Sequence, residues 1–408
     1  MQSNEIRSRF LRFFESRGHK IIPSSSLVPE NDPSVLFTTA GMQQFKQYYT
    51  NPENADKDFG NKNIVTVQKC VRTGDIDEVG DDTHLTFFEM LGNFSFGGYW
   101  KKEAIQYAYD FVTKELGLTI DYVSVFSAKG GPASGGEGNI PDDTESENIW
   151  RAIDSKIKII KSGKEDNFWG PTGNEGPCGP TTEICINGVE IWNIVFNEFY
   201  KTKEGKYRPL GTKGVDTGMG LERLLVQVQK KNNVYETDLF TSIMTLFPKF
   251  IPDSKKRIIA DHAKTSAFLI ADGVIPSNKD RGYILRRLLR RMIVHLRTFG
   301  NDLFTPIGFV IDLYAKTYHL DRNIIFPIIK AESDKFEKTL AQGLKEFEKG
   351  ADPFILATTY GFPIELTMEL AKEKGQSIDL ENFNQKMAEH QKLSQTASSG
   401  MFKGGLAN

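Results

Sequence analysis

Apolar positions recur at helical spacing near the N-terminus, where Ile6, Phe10, Phe13 and Phe14 stand between charged residues. They predict an amphipathic helix, not a signal peptide. Beyond it, short β-rich runs (IIPSSSLV, NIVTVQKCV, LTFFEML, YVSVFSA and EIWNIVFNEF) alternate with helical segments and Gly/Pro/Asn/Asp turns. That pattern predicts a mixed sheet with packed helices over residues 1–240. From Glu236 onward the strand-like runs give way to long helical patterns, so a domain boundary is expected near Thr241. KGGPASGGEGNIPDD (129–143) reads as a flexible loop: no Lys-Ser/Thr pair opening a helix follows its glycines, which argues against a phosphate-cradling loop. The tail SQTASSGMFKGGLAN is Ser/Gly-rich, and residues 396–408 read as a linker whose next domain is missing.

The 408 residues carry 39% hydrophobic and 11% aromatic side chains, enough for a real core in two or three domains. Charge is uneven: residues 1–240 hold 27 basic and 34 acidic groups, a balance of −7, and residues 241–408 hold 24 and 19, a balance of +5. The halves therefore differ in electrostatic role. Cys70, Cys178 and Cys185 form neither a disulfide framework nor a CxxC pattern, which points to a reducing compartment without structural zinc. No apolar run reaches the roughly 18 residues of a membrane span, and a cytoplasmic location is expected.

Three strand regions carry candidate chemistry. In VDTGMGLERLLVQVQ (215–229) a strand end meets two glycines and then a helix with apolar Leu221, Leu224, Leu225 and Val228, leaving Arg223 off that stripe. A glycine entry lets backbone approach a ligand, and an arginine on the first helical turn offers a bidentate donor to phosphate. Taken alone, the same glycines read as a tight turn, with Arg223 on a solvated face. In EIWNIVFNEF, alternation puts Ile191, Asn193, Val195 and Asn197 on one face and Trp192, Ile194, Phe196 and Glu198 on the other. One face thus combines amides with short alkyl groups, and Asp216, just before the glycine turn, offers a carboxylate to an ammonium group. Together these suit a small amino acid. In NIVTVQKCVRTG and THLTFFEMLGNFSFGGYW, Arg72 leaves one strand and Phe88 sits on the next, pairing a phosphate clamp with a stacking surface. Most of the neighbouring phenylalanines read as core.

The blocks TTAGMQQFK, CVRTG, TFFEMLGNFSFG, DNFWGPTGNEGPCGPTTEI, IWNIVF, VDTGMGLER, ADHAKTSAFLIADGV and NKDRGYILRRLLRR closely resemble the alanyl-tRNA synthetases, a family of class II aminoacyl-tRNA synthetases. The resemblance runs from about Glu5 to the end of the chain and implies an α+β fold: a class II antiparallel sheet with flanking helices, then a mainly helical domain. By that resemblance residues 1–240 catalyse aminoacylation and 241–395 recognise the tRNA acceptor stem. It implies that Arg72 binds the α-phosphate of ATP, Phe88 stacks on adenine, Arg223 with Gly220 holds the terminal phosphate, and Met42 lines the adenylate pocket. Trp169, Asn193, Val195, Asp216 and Gly218 would form the alanine pocket. ATP and Mg²⁺ are the expected cofactors; Glu183 and Glu190, acids on strands beside the site, are candidate Mg²⁺ ligands. The expected partners are L-alanine and the tRNA(Ala) acceptor stem, with the chain monomeric.

A methyl-sized pocket rejects glycine and serine weakly. The family proofreads in a separate His/Cys-bearing domain, which is expected to be absent here, leaving that task to another protein. Between Lys255 and Arg297 eleven basic residues face three Asp, and Arg286, Arg287, Arg290 and Arg291 repeat along one helix side as an expected phosphate-contacting stripe. The family reads a G·U wobble pair through an Asn and an Asp; Asp379 matches the Asp, and Arg297 stands at the Asn position. Two further departures are a shortened loop after Arg72 and Leu85 in place of a second histidine beside His84. They keep open two alternatives, an adenylating paralogue and a tRNA-binding regulator that charges nothing.

Overall fold

The computed structural model describes residues 1–30, 35–128, 140–171 and 175–401, with side chains to 390. Most of the glycine-rich segment 129–143 and the last seven residues of the expected linker lie outside the described residues. Residues 396–401 of that linker instead continue the helix Leu380–Met401.

Among the described residues nine strands form the sheet: β1 (Lys20–Ile21), β2 (Asn63–Val71), β3 (Phe87–Ser95), β4 (Tyr122–Phe126), β5 (Ile159–Ser162), β6 (Phe168–Trp169), β7 (Gly176–Ile186), β8 (Val189–Lys201) and β9 (Tyr207–Gly220). Their order is β1-β2-β3-β9-β8-β7-β4-β5, with β6 paired to β7. The central pairs are antiparallel, and only the edge pairs β1/β2 and β4/β5 run parallel. The run IIPSSSLV contributes little to the sheet, since strand ends at Ile21 and Pro23 follows.

Alternation along β8 works as its sequence predicts until a bulge between Asn197 and Phe199. Trp192, Ile194 and Phe196 enter the core, against which the N-terminal helix Ser3–Glu15 lays Ile6, Phe10, Phe13 and Phe14. Gly179 is required where β7 meets β8, because a Cβ there would stand 1.8 Å from the Phe196 carbonyl oxygen.

The last strand ends at Gly220 and the described elements from Leu221 onward are helical, some 20 residues before the expected boundary near Thr241, and packing does not break at that boundary. One apolar cluster runs from Ile6 through the helices Asp253–Ala271 and Asp280–Thr298 to Ile329. A smaller cluster, including Phe336, Leu356, Phe362 and Leu366, forms a satellite core beyond it.

Candidate active site

Strand pairing assembles the site. Across β8 and β9, Asn193 opposes Gly218 and Val195 opposes Asp216; across β3 and β9, Met90 opposes Gly220. A side chain at Gly218 has little room, as its Cβ would lie 3.0 Å from Met90 Sδ. These strands border a cavity of about 410 Å³ lined by Arg72, Phe88, Trp169, Glu190, Asn193, Val195, Asp216, Gly218, Gly220 and Arg223. Residues separated by some 150 positions in sequence thus share one wall. Asn197, at the near edge of the bulge, is not among the lining residues.

Asp216 is 5% exposed, and burial alone pushes its carboxyl up to about 7. A desolvated carboxylate of this kind is poised to gain strongly from an incoming cation. Asn193 donates through Nδ2 to Glu183 Oε1 at 3.0 Å, while its own Oδ1 is buried without a partner. Arg72 reaches the Thr39 carbonyl at 3.4 Å and lies 4.9 Å over the Phe88 ring. The Arg223 side chain is half exposed, 3.5 Å from Glu190. The cavity therefore brings together two largely uncommitted guanidiniums and the desolvated carboxyl of Asp216.

Two expected site residues are placed differently. Met42 is 2% exposed and does not line the cavity; standing just before the short helix Gln43–Tyr49, it packs with Phe45 and Phe94 in the cluster that Trp169 also touches. Glu183 does not line the cavity either. Ser124 and Asn193 hydrogen-bond its two oxygens, and burial together with Glu190 pushes its carboxyl up to about 7, which disfavours the anion a cation needs. Glu183 thus orients Asn193, and of the expected pair only Glu190 lines the cavity, where it lies 3.5 Å from Arg223. Among the described residues, no three His, Cys, Asp or Glu side chains are grouped to hold a metal ion.

Glu222 also lines the cavity, although nothing in its local sequence pattern assigns it to the site. It accepts from the Glu89 amide at 3.1 Å and from Lys264 Nζ at 2.8 Å, while Glu89 pairs with Arg7. Two buried acids and two buried bases thus balance beneath the cavity floor and tie the helix Leu221–Gln229, which carries Arg223, to β3. Burial pushes Glu222 up. At Glu89, where burial pushes the same way, the Arg7 charge prevails and holds the carboxyl low. The signal lay in the acid adjoining Arg223 and the lysine of ADHAKTS, but helix periodicity alone does not show that they meet.

The expected phosphate stripe is not a free basic face. Arg286 and Arg290 converge on Glu332, which is 2% exposed; Arg287 pairs with Asp77, and Arg291 with Glu369 at 2.6 Å. The helices Asp253–Ala271 and Arg322–Glu348 pack against this helix, and its counter-charges come from distant parts of the chain. Arg297 is exposed and bonded to Glu337, with Nε at 3.1 Å from Oε1, and Asp379 accepts the Asn382 amide at the start of the last helix. Glu332→Ala, leaving two half-buried guanidiniums without their anion, is expected to cost about 3–5 kcal/mol and to lower the melting temperature in thermal unfolding.

Residues 5–404 match the family model of class II (A) tRNA synthetases. The chain belongs to this family. Among its relatives in this synthetase family, alanine-tRNA ligase of Borrelia hermsii is 40% identical over 459 aligned positions, covering 100% of this chain and 75% of that one. The Treponema denticola alanine-tRNA ligase is 44% identical, covering 99% and 74%. That of Dehalococcoides mccartyi strain BAV1 is 41% identical, covering 94% of this chain and 48% of its own length. Among the described residues, no helix of this synthetase-family chain is long and apolar enough to cross a membrane.

Proposed function

We propose that the protein activates L-alanine with ATP to alanyl-adenylate and transfers the alanyl group to the 3′ end of tRNA(Ala). The observation that carries this reading is the single cavity that sets desolvated Asp216 against Arg72 and Arg223. Asp216 accepts the alanine ammonium, and Trp169, Val195 and Asn193 enclose the short side chain. This fixes the substrate carboxylate toward the nucleotide. The carboxylate oxygen attacks the α-phosphorus, the bond to pyrophosphate breaks, and no protein nucleophile is needed. Phe88 provides the face for the base, and Arg72 and Arg223 neutralise phosphate charge that grows in the transition state. Transfer then joins a terminal ribose hydroxyl to the alanyl carbonyl carbon, with AMP leaving and the hydroxyl proton departing to it or to water. Mg²⁺, when bound with ATP, supplies further charge neutralisation, with Glu190 the cavity carboxylate that fits it.

The polar surroundings of the pocket favour this reading over a pure binding module, because a protein that only holds RNA has no use for a buried ammonium acceptor facing two phosphate clamps. Alanine-dependent exchange of pyrophosphate into ATP, followed by charging of tRNA(Ala), tests it. Both activities are expected, with glycine and serine supporting weaker exchange, since one missing methyl is worth only about 1–3 kcal/mol. Absence of exchange with alanine would refute it.

A further inference from the structure

The loop 73–85 connects β2 to β3 and brings Asp75, Thr83, His84 and Leu85 to the cavity wall. Its base is closed by the Arg72 amide donating to the Thr86 carbonyl at 2.9 Å. The loop carries five carboxylates, Asp75, Asp77, Glu78, Asp81 and Asp82, beside a cavity built for a polyanion. Left uncompensated, that charge would repel triphosphate and push the loop outward.

The helical region supplies the compensation. Arg287 pairs with Asp77, and Arg257 pairs with Asp82 at 2.6 Å and donates to the Gly80 carbonyl at 3.3 Å. Arg291 donates to the Ile76 carbonyl at 2.7 Å and reaches the Val79 carbonyl at 3.4 Å. Ile76 and Val79 are fully buried, which plugs the loop into the fold, and Gly80, at φ +129°, permits close approach to the helix Asp253–Ala271: a Cβ there would lie 3.3 Å from the Ser254 carbonyl oxygen. Within the loop, Asp81 receives His84 Nδ1 at 2.5 Å and the His84 amide at 2.8 Å, and Tyr235 donates to the His84 carbonyl at 3.0 Å. A chain of contacts therefore runs from three guanidiniums of the helical region to an imidazole on the ATP cavity.

We propose that Arg257, Arg287 and Arg291 are positioning residues for amino acid activation, clamping the loop 73–85 so that His84 and Arg72 keep their places on the ATP cavity. The inference rests on the function proposed above. It reassigns Arg287 and Arg291 from direct tRNA phosphate contacts to the nucleotide site, and makes the helical region a determinant of ATP use before tRNA arrives.

The test combines calorimetric binding of Mg·ATP with alanine-dependent pyrophosphate exchange, both without tRNA, on the full chain. The variants are Asp77→Ala, Arg257→Ala, Asp77→Arg, Arg287→Asp and the double swap of the last two. Asp77 is two-thirds exposed, so its variants fold even if an arginine variant does not. Each single change is expected to weaken ATP about five- to tenfold in Kd and KM, leaving KM for alanine unchanged, because small displacements of aligned groups are amplified in binding and rate. The double swap is expected to restore most of the loss, a recovery that general destabilisation does not produce. The proposal is overturned if the single changes leave ATP binding within about twofold of wild type, if only the KM for tRNA rises, or if the swap gives no recovery. Lack of alanine-dependent exchange by the wild-type protein would instead sink the proposed function, while the ATP titrations would still decide the clamp.

Discussion

Asp216→Asn is expected to reduce kcat/KM for alanine in pyrophosphate exchange by about a thousandfold, on the order of 4 kcal/mol, while ATP binds as before. The loss is large because Asp216 lies in a desolvated pocket, where an ammonium gains a charge-assisted hydrogen bond that water cannot replace. Asparagine keeps the shape and removes the charge. The pH dependence follows from the same carboxyl. Its ordinary value of 3.8 is pushed up to about 7 by burial, and only the ionised form accepts the ammonium. Alanine affinity should therefore fall about tenfold per pH unit below pH 7 and level off above it, and this dependence should vanish in Asp216→Asn. Stability moves the other way. Between those two values the folded protein holds a proton that the unfolded chain has released, so stability declines as pH rises through the window. At pH 8 the unliganded asparagine variant should melt about 2–5 °C above wild type, and near pH 4 the two should coincide. Unchanged alanine activation in this variant would place the ammonium elsewhere.

Arg72→Ala is expected to slow adenylate formation in single-turnover measurements by about a thousandfold with no change in melting temperature. Arg72 is exposed, its amide donates to the Thr86 carbonyl just before β3, and its side chain makes only a long bond to Thr39 besides lying over Phe88. Removing it leaves no buried group unsatisfied, so the fold loses nothing and the cost falls on the transition state. Arg72→Lys should recover about tenfold of the loss, since it restores the charge without the planar fork that grips two phosphate oxygens. An effect confined to the tRNA step would contradict the role.

The parts of this architecture that the sequence reveals are those set by local pattern. Alternation in EIWNIVFNEF separates the cavity face of β8 from its core face up to the bulge at Asn197, and the glycine-to-helix switch before Leu221 locates the Arg223 turn. Asp216 and Asn193 come together because period-two strands in register place their side chains on one side, which two stretches of sequence can convey. Long-range charge pairing has no such local signature. Arg286, Arg287, Arg290 and Arg291 look like a solvated stripe, yet Glu332, Glu369 and Asp77, 42 to 210 positions away, take them up. The same limitation hid the Lys264–Glu222 pair beneath the cavity and turned Glu183 from an apparent metal ligand into a support for Asn193. Met42 follows the same logic, as Ala40 and Gly41 of its motif line the cavity while its own side chain packs with Phe45 and Phe94.

The most direct test is a crystal structure of the protein with a non-hydrolysable alanyl-adenylate analogue. The ammonium nitrogen is expected within hydrogen-bonding distance of Asp216, the phosphate mimic at Arg72, and the base against Phe88. An analogue bound elsewhere, or bound in this cavity with its ammonium turned away from Asp216, would contradict the account.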